Sequence, residues 1–194
     1  MKKNIVVAVT GASGALYAKL LLETLCALRG QVGEVAVVFS DSGRDVFRHE
    51  LGCNADDLLA ALPVKAYDSR SFYAPFASGS SRFESMLVAP CSMGTLARIA
   101  AGAADNLVCR AADVMLKERR RLVLVVRETP YSLIHLRNMV AVTEAGGVIC
   151  PASPAFYSCP QSIQNLAMTV VNRALTLAGV EVEAFRWGEE AAGG

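Results

Sequence analysis

The amino-acid sequence predicts an α/β protein built as a single doubly wound parallel sheet with helices on both faces. Three observations predict it. Short apolar runs alternate with stretches of helical periodicity along the chain, and strands apolar throughout belong to parallel sheets covered on both sides. The length, 194 residues, suits one full-sized core. Apolar residues make up 53% of the chain and charged residues 19%, the balance of a globular protein and not of a disordered one.

The elements follow in order. Asn4 to Thr10 is a β-rich apolar run ending at a glycine, after which Leu16, Leu20, Leu21, Leu25 and Leu28 recur at helical spacing. EVAVVFS (34–40) reads as a second strand and 41–50 as a helix. SMLVAP (85–90) is a third strand, followed by helical SMGTLARIAAG. Residues 105–120 are helical, 122–126 strand, 131–145 helical and 147–150 strand. A last helix runs from near Pro160 to Ala178, with Ser158 as its cap. No repeat or interdomain linker interrupts the alternation, so one domain is expected over 1–188, with a flexible tail at 189–194. The Gly/Ser/Pro-rich stretch 68–81 is the one long irregular loop, and such loops in compact domains are usually functional or disordered.

Charge and composition exclude several classes. A net charge of +1 and a single dense basic cluster, Lys117 to Arg121, do not make a nucleic-acid surface. Cys26, Cys53, Cys91, Cys109, Cys150 and Cys159 form no C-x-x-C pair, and most lie in apolar stretches where reduced cysteine packs as a small hydrophobe. With only His49 and His135 besides, no metal site is expected. The apolar run Ile5 to Val9 is too short for a signal peptide, and no segment is long enough to cross a bilayer, so the protein reads as cytoplasmic.

In doubly wound folds ligands gather beyond the carboxyl ends of the strands. Three polar turns share that rim: TGASG after the first strand, FSDSG after the second and PCSMGT after the third. TGASGA (10–15) offers backbone N–H groups at a helix start and the hydroxyls of Thr10 and Ser13, chemistry suited to a phosphate; the plain alternative is a glycine turn. PCSMGT repeats the pattern with Ser92 and Thr95, where simple N-capping by Ser92 is the alternative. A monophosphate or a flavin edge suits these turns better than a dinucleotide, because Ser40 and not an acid ends the second strand. Arg127 and Glu128 close the apolar run 122–126 and should face the same crevice. On the preceding helix, Arg110, Asp113 and Lys117 share a polar stripe, read either as an Asp113–Lys117 pair or as cations fed toward the anion that Arg127 meets. Tyr157 lies in a proline-bounded loop and Arg173 at the edge of the last helix; packing and snorkelling are their ordinary roles.

Together, VTGASGA, SGSS, PCSMGTLA, AADVMLKERR, LVLVVRETP, HLRNM, PASPAFYSCPQS and VNRAL, in this order from about residue 4 to 188, resemble the flavin prenyltransferases of the UbiX and Pad type. The resemblance implies a flavodoxin-like fold, a homododecamer, and transfer of a dimethylallyl group from dimethylallyl phosphate to N5 and C6 of reduced FMN without a metal. The product, prenylated FMN, would serve a UbiD-type decarboxylase in ubiquinone synthesis or aromatic acid breakdown. By resemblance, Gly11, Ala12 and Ser13, Ser40, and Ser92, Met93, Gly94 and Thr95 would hold FMN together with Arg127. Lys117, Arg127, Tyr157 and Arg173 would grip the donor phosphate and Phe72 would shield the prenyl chain. Ser13, Glu50, Lys117, Glu128 and Tyr157 would be catalytic, with Glu50 and Glu128 handling protons. Arg121 stands where the family usually has proline, and YSCPQS lacks the polar pair that often follows the tyrosine.

The chemistry is coherent. An allylic C–O bond ionises readily, so fixed cations that stabilise departing phosphate supply most of what catalysis needs, and a positioned carboxylate removes the C6 proton. Three other readings compete, one of them that the protein is only an accessory subunit of a hydroxyarylic acid decarboxylase. An FMN-dependent cysteine decarboxylase would carry an asparagine where PASPAFY has none, and a passive FMN carrier would explain the turns but not the second set of cations.

Overall fold

The computed structural model describes residues 2–185 and Gly188, so the tail expected at 189–194 lies outside the described residues. The chain runs β1 (Lys3–Val9), α1 (Ala15–Ala27), β2 (Val32–Phe39), α2 (Asp41–Leu51), α3 (Ala55–Ala61), β3 (Lys65–Asp68), β4 (Phe83–Cys91), α4 (Met93–Ala100), α5 (Leu107–Lys117), β5 (Arg121–Val126), α6 (Leu133–Glu144), β6 (Val148–Pro151) and α7 (Ile163–Leu177). All strand pairs are parallel and the order is β3-β2-β1-β4-β5-β6. Without the short edge strand β3, this is the flavodoxin order 2-1-3-4-5. The order reverses between β1 and β4, and that switch point decides where the site lies.

Because successive side chains of a strand point to opposite faces, each central strand feeds two cores. Ile5, Val7 and Val9 of β1 pack with α1, α2, α3 and α7; Val6 and Ala8 pack with α4, α5 and the buried side of α6. Burial on both sides explains why β1, β4 and β5 read as unbroken apolar runs. One polar atom breaks the pattern: Ser85 in β4 is 1% exposed and its hydroxyl has no partner among the described residues.

Two elements were not legible as expected. β3 is four residues long and mostly exposed, and α3 is a two-turn helix whose Asp57 carboxylate accepts from Asn54 N at 3.3 Å. Neither carries enough periodicity to stand out. The 68–81 loop begins inside β3 and then serves as the β3–β4 crossover, with a 3₁₀ turn at Pro75–Ala77; its Phe76 is fully buried and meets Tyr67 and Phe83 edge-on. The last helix starts at Ile163, later than expected, and its cap is Ser162, not Ser158: the Ser162 hydroxyl accepts from Asn165 N at 3.1 Å.

Candidate active site

The carboxyl rim at the β1/β4 switch point is built from three turns. Gly14 takes a left-handed φ of 118°, open to glycine and strained for other residues, and it begins α1 without a side-chain cap. The cap comes from elsewhere. The Glu50 carboxylate, at the end of α2, accepts from Gly14 N at 3.0 Å and from Ala15 N at 2.7 Å. Partial burial pushes the Glu50 carboxyl up, but hydrogen bonds from the Ser13 side chain, Ala15 N and Gly14 N, together with the Arg127 charge, outweigh it and hold its pKa below the ordinary value. The Gly14 and Ala15 N–H groups, expected to be free for a phosphate at the helix start, are therefore taken by Glu50. This corrects the sequence reading, and the reason is that a helix N-terminus attracts a carboxylate as readily as a phosphate.

Thr10 is also corrected. It is 2% exposed, its hydroxyl donates to Pro90 O at 2.9 Å, and the same oxygen accepts from Ser92 N at 2.8 Å. Both functions are spent inside the protein. In the second turn, Ser40 Oγ caps α2 by accepting from Gly43 N at 3.0 Å. In the third, Ser92 Oγ accepts from Thr95 N at 3.3 Å and lies 3.1 Å from Thr95 Oγ1, so the capping reading of Ser92 holds. The α4 start still presents Met93 and Gly94 at the rim, because a helix cannot satisfy its own first N–H groups. A Cβ on Gly94 would meet only Arg98, at 3.6 Å, so this is an open cradle.

Arg127 and Glu128 follow β5 directly and are exposed at the same rim; Arg127 N donates to Cys91 O at 3.2 Å, which ties the β5 exit to β4. The Arg127 charge also reaches Tyr17, where it opposes the upward push of burial on the phenol. Tyr17 escaped the sequence reading; its ring fills the space that a side chain on Gly14 would need. Glu128 Oε1 accepts from Thr129 N at 2.9 Å. Arg173 on α7 lies near Cys150, whose thiol burial pushes up and Arg173 pulls down. Tyr157 is exposed in the β6–α7 loop and stacks on Phe185, with ring centroids 6.5 Å apart. Phe72, 47% exposed, stands beyond β3 on the crossover.

Lys117 does not join them. It ends α5, just before β5 begins, and its ammonium pairs with Glu118 beside Gly79. Arg127 follows the far end of that six-residue strand, so within one chain the two cations are separated by roughly 20 Å. The expectation that α5 would feed Lys117 toward Arg127 fails because α5 enters the amino end of the strand and Arg127 leaves the carboxyl end. Nor does Asp113 pair with Lys117; it accepts from Arg110 at 2.7 Å. Burial pushes the thiols of Cys91 and Cys109 up, in keeping with cysteines that only pack. Among the described residues no group of three or more His, Cys, Asp or Glu is placed to hold a metal, and no helix is long and apolar enough to cross a membrane.

This geometry has close counterparts among known proteins. The sequence profile of the Flavoprotein family matches residues 1–175. The flavin prenyltransferase UbiX of Methanothermobacter thermautotrophicus is 44% identical over 184 residues, spanning 95% of this chain and 94% of that protein. A UbiX crystal structure in complex with FMN and dimethylallyl pyrophosphate superposes with a TM-score of 0.88 at 43% identity, over 97% of this chain and 100% of that one. A dodecameric FMN-dependent UbiX-like decarboxylase from Escherichia coli O157:H7 superposes with a TM-score of 0.90 at 41% identity, over 96% and 100%. With its switch-point crevice, its order of strands and this degree of identity across nearly its whole length, the chain belongs to the Flavoprotein family and, within it, to the UbiX flavin prenyltransferases.

Proposed function

We propose that this protein transfers the dimethylallyl group of dimethylallyl phosphate to N5 and C6 of reduced FMN, without a metal, and that the prenylated FMN passes to a UbiD-type decarboxylase in the cytoplasm. The observation that carries the reading is the meeting of the Ser13–Glu50 pair, the open α4 N-terminus and Arg127 at one crevice. Reduced FMN supplies the nucleophilic nitrogen and carbon when bound. Because Glu50 closes the α1 N-terminus, the FMN phosphate is received at the α4 start by the Met93 and Gly94 N–H groups and the Thr95 side chain, in the turn that Ser92 caps, with Gly11, Ala12 and Ser40 lining the approach.

Arg127, Arg173 and Tyr157 hold the donor phosphate and stabilise the charge it gains as the allylic C–O bond breaks with its electron pair on oxygen. Ser13 and Glu50 take the N5 proton, the Ser13 side chain lying in hydrogen-bond contact with the Glu50 carboxylate. Glu128 takes the C6 proton during ring closure, while the alkene takes one up. Phe72 shields the prenyl chain.

Lys117 completes the phosphate clamp from a neighbouring copy in a homododecamer. Two observations support that arrangement: Lys117 sits at the opposite end of its own β5, and α6 beside the rim exposes Leu133 and Ile134 by 60% and 67%. Large apolar side chains grouped this way mark an interface.

The test is anaerobic incubation of the protein with reduced FMN and either dimethylallyl phosphate or the pyrophosphate, followed by mass spectrometry of the flavin. Gain of one C5H8 unit is expected with the monophosphate. An unchanged flavin in the presence of folded protein refutes the assignment. Glu128→Gln is expected to slow closure at C6 while leaving the N5 bond; closure at the wild-type rate would remove Glu128 from the proton step.

A further inference from the structure

We propose that Thr10 is a positioning residue that sets the spacing of the two flavin-binding turns across the switch point, acting through Ser92; this rests on the flavin reading above. The ladder between β1 and β4 ends at the Ala8–Val88 pair. Beyond it, Thr10 takes over. Its N–H donates to Pro90 O at 3.2 Å and its hydroxyl donates to the same carbonyl at 2.9 Å. The hydroxyl oxygen accepts from Ser92 N at 2.8 Å, and the Thr10 carbonyl accepts from Ala12 N at 2.9 Å.

A hydroxyl so buried destabilises the fold unless it is bonded, and here both its proton and its lone pair are used to join one turn to the other. Ser92 in turn caps α4 through Thr95. One hydroxyl therefore fixes the Gly11–Ser13 turn against the α4 cradle. Binding groups need placement to within a fraction of an ångström, so a slip between the two turns spoils the site without touching any ligand-contacting side chain. Valine has the shape of threonine but lacks its hydroxyl, and would leave the part-buried Ser92 N–H without its partner.

The test compares wild type, Thr10→Val and Thr10→Ser as full-length proteins, by equilibrium FMN binding and by steady-state prenylation. Thr10→Val is expected to bind FMN about tenfold more weakly or worse. Its KM for reduced FMN should rise while kcat at saturation stays within about threefold. Thr10→Ser, which keeps the hydroxyl and loses a methyl group, should return both values to within about twofold of wild type. Thr10→Val binding FMN as tightly as wild type overturns the proposal, and so does Thr10→Ser binding as weakly as Thr10→Val. Should Thr10→Val not fold, Thr10→Cys, with its weaker hydrogen-bonding sulfur, carries the same comparison. FMN binding is read without a prenyl donor. A wild-type protein that binds FMN but yields no prenylated flavin would therefore sink the assigned reaction and leave the Thr10 comparison standing.

Discussion

Replacing Gly43 with alanine tests whether the site is built by close contact between α2 and β1. In an open helix position the change would stabilise by up to about 1 kcal/mol, because glycine loses the most backbone freedom on folding. Gly43 is not in an open position. A Cβ there would lie 2.5 Å from the Val9 carbonyl oxygen, 3.0 Å from its carbon and 3.1 Å from Ser40 Oγ. Comfortable C···O contact begins at about 3.3 Å, so α2 would have to back away by roughly 0.8 Å from a strand that cannot yield. Overpacking of this kind costs about 1–3 kcal/mol, which offsets the propensity gain and leaves a net loss of up to about 2 kcal/mol. For a chain of this size that lowers Tm by up to about 8 °C. Since α2 carries Glu50 at its end, the shift also draws the carboxylate off the Gly14 and Ala15 amides and should weaken FMN binding. Thermal unfolding followed by circular dichroism, with FMN titration, reads both effects. A Gly43→Ala protein that melts higher than wild type and binds FMN equally well would refute the close-contact argument.

Other outcomes follow from particular side chains. Ser85→Ala removes a buried hydroxyl with no partner and should raise stability by about 1 kcal/mol, seen as a Tm higher by about 2–4 °C; a loss of that size would mean the hydroxyl is bonded. Glu50→Gln should melt below wild type at neutral pH. Glu50 has a folded pKa depressed below its ordinary 4.5, so its stabilisation is present above that value and is lost as pH falls through the folded pKa. The Tm gap between the two proteins should therefore be constant near neutrality and close below pH 4.5; a gap that widens on acidification would contradict the capping role. Lys117→Ala and Arg127→Ala, each inactive alone, should regain about one quarter of wild-type activity when co-assembled, the share of sites that draw both residues from intact copies. Mixed assemblies that stay inactive would place Lys117 outside the shared site.

The sequence alone determined the parallel α/β class, the order of most elements and the rim on which the functional turns lie. It could do so because burial on both faces writes strands as unbroken apolar runs, as in β1 and β5, and because amphipathic helices repeat every three to four residues. It also brought Arg127 and Glu128 to the rim, since a charge directly after a buried strand has no other place to go. Glu50 was marked only by resemblance to a family, and Tyr157, placed by its proline-bounded loop, drew its role from the same resemblance.

Only the tertiary structure decided which polar groups remain available. Glu50 caps α1 from a neighbouring helix, Thr10 spends its hydroxyl across the switch point, and Lys117 lies at the wrong end of its strand to meet Arg127. The short exposed strand β3 also emerged only in three dimensions. In each case the deciding quantity is a distance between residues far apart in the chain. Residue types and their spacing fix what a segment prefers locally, but a hydrogen bond across 36 or 82 residues depends on how the segments pack.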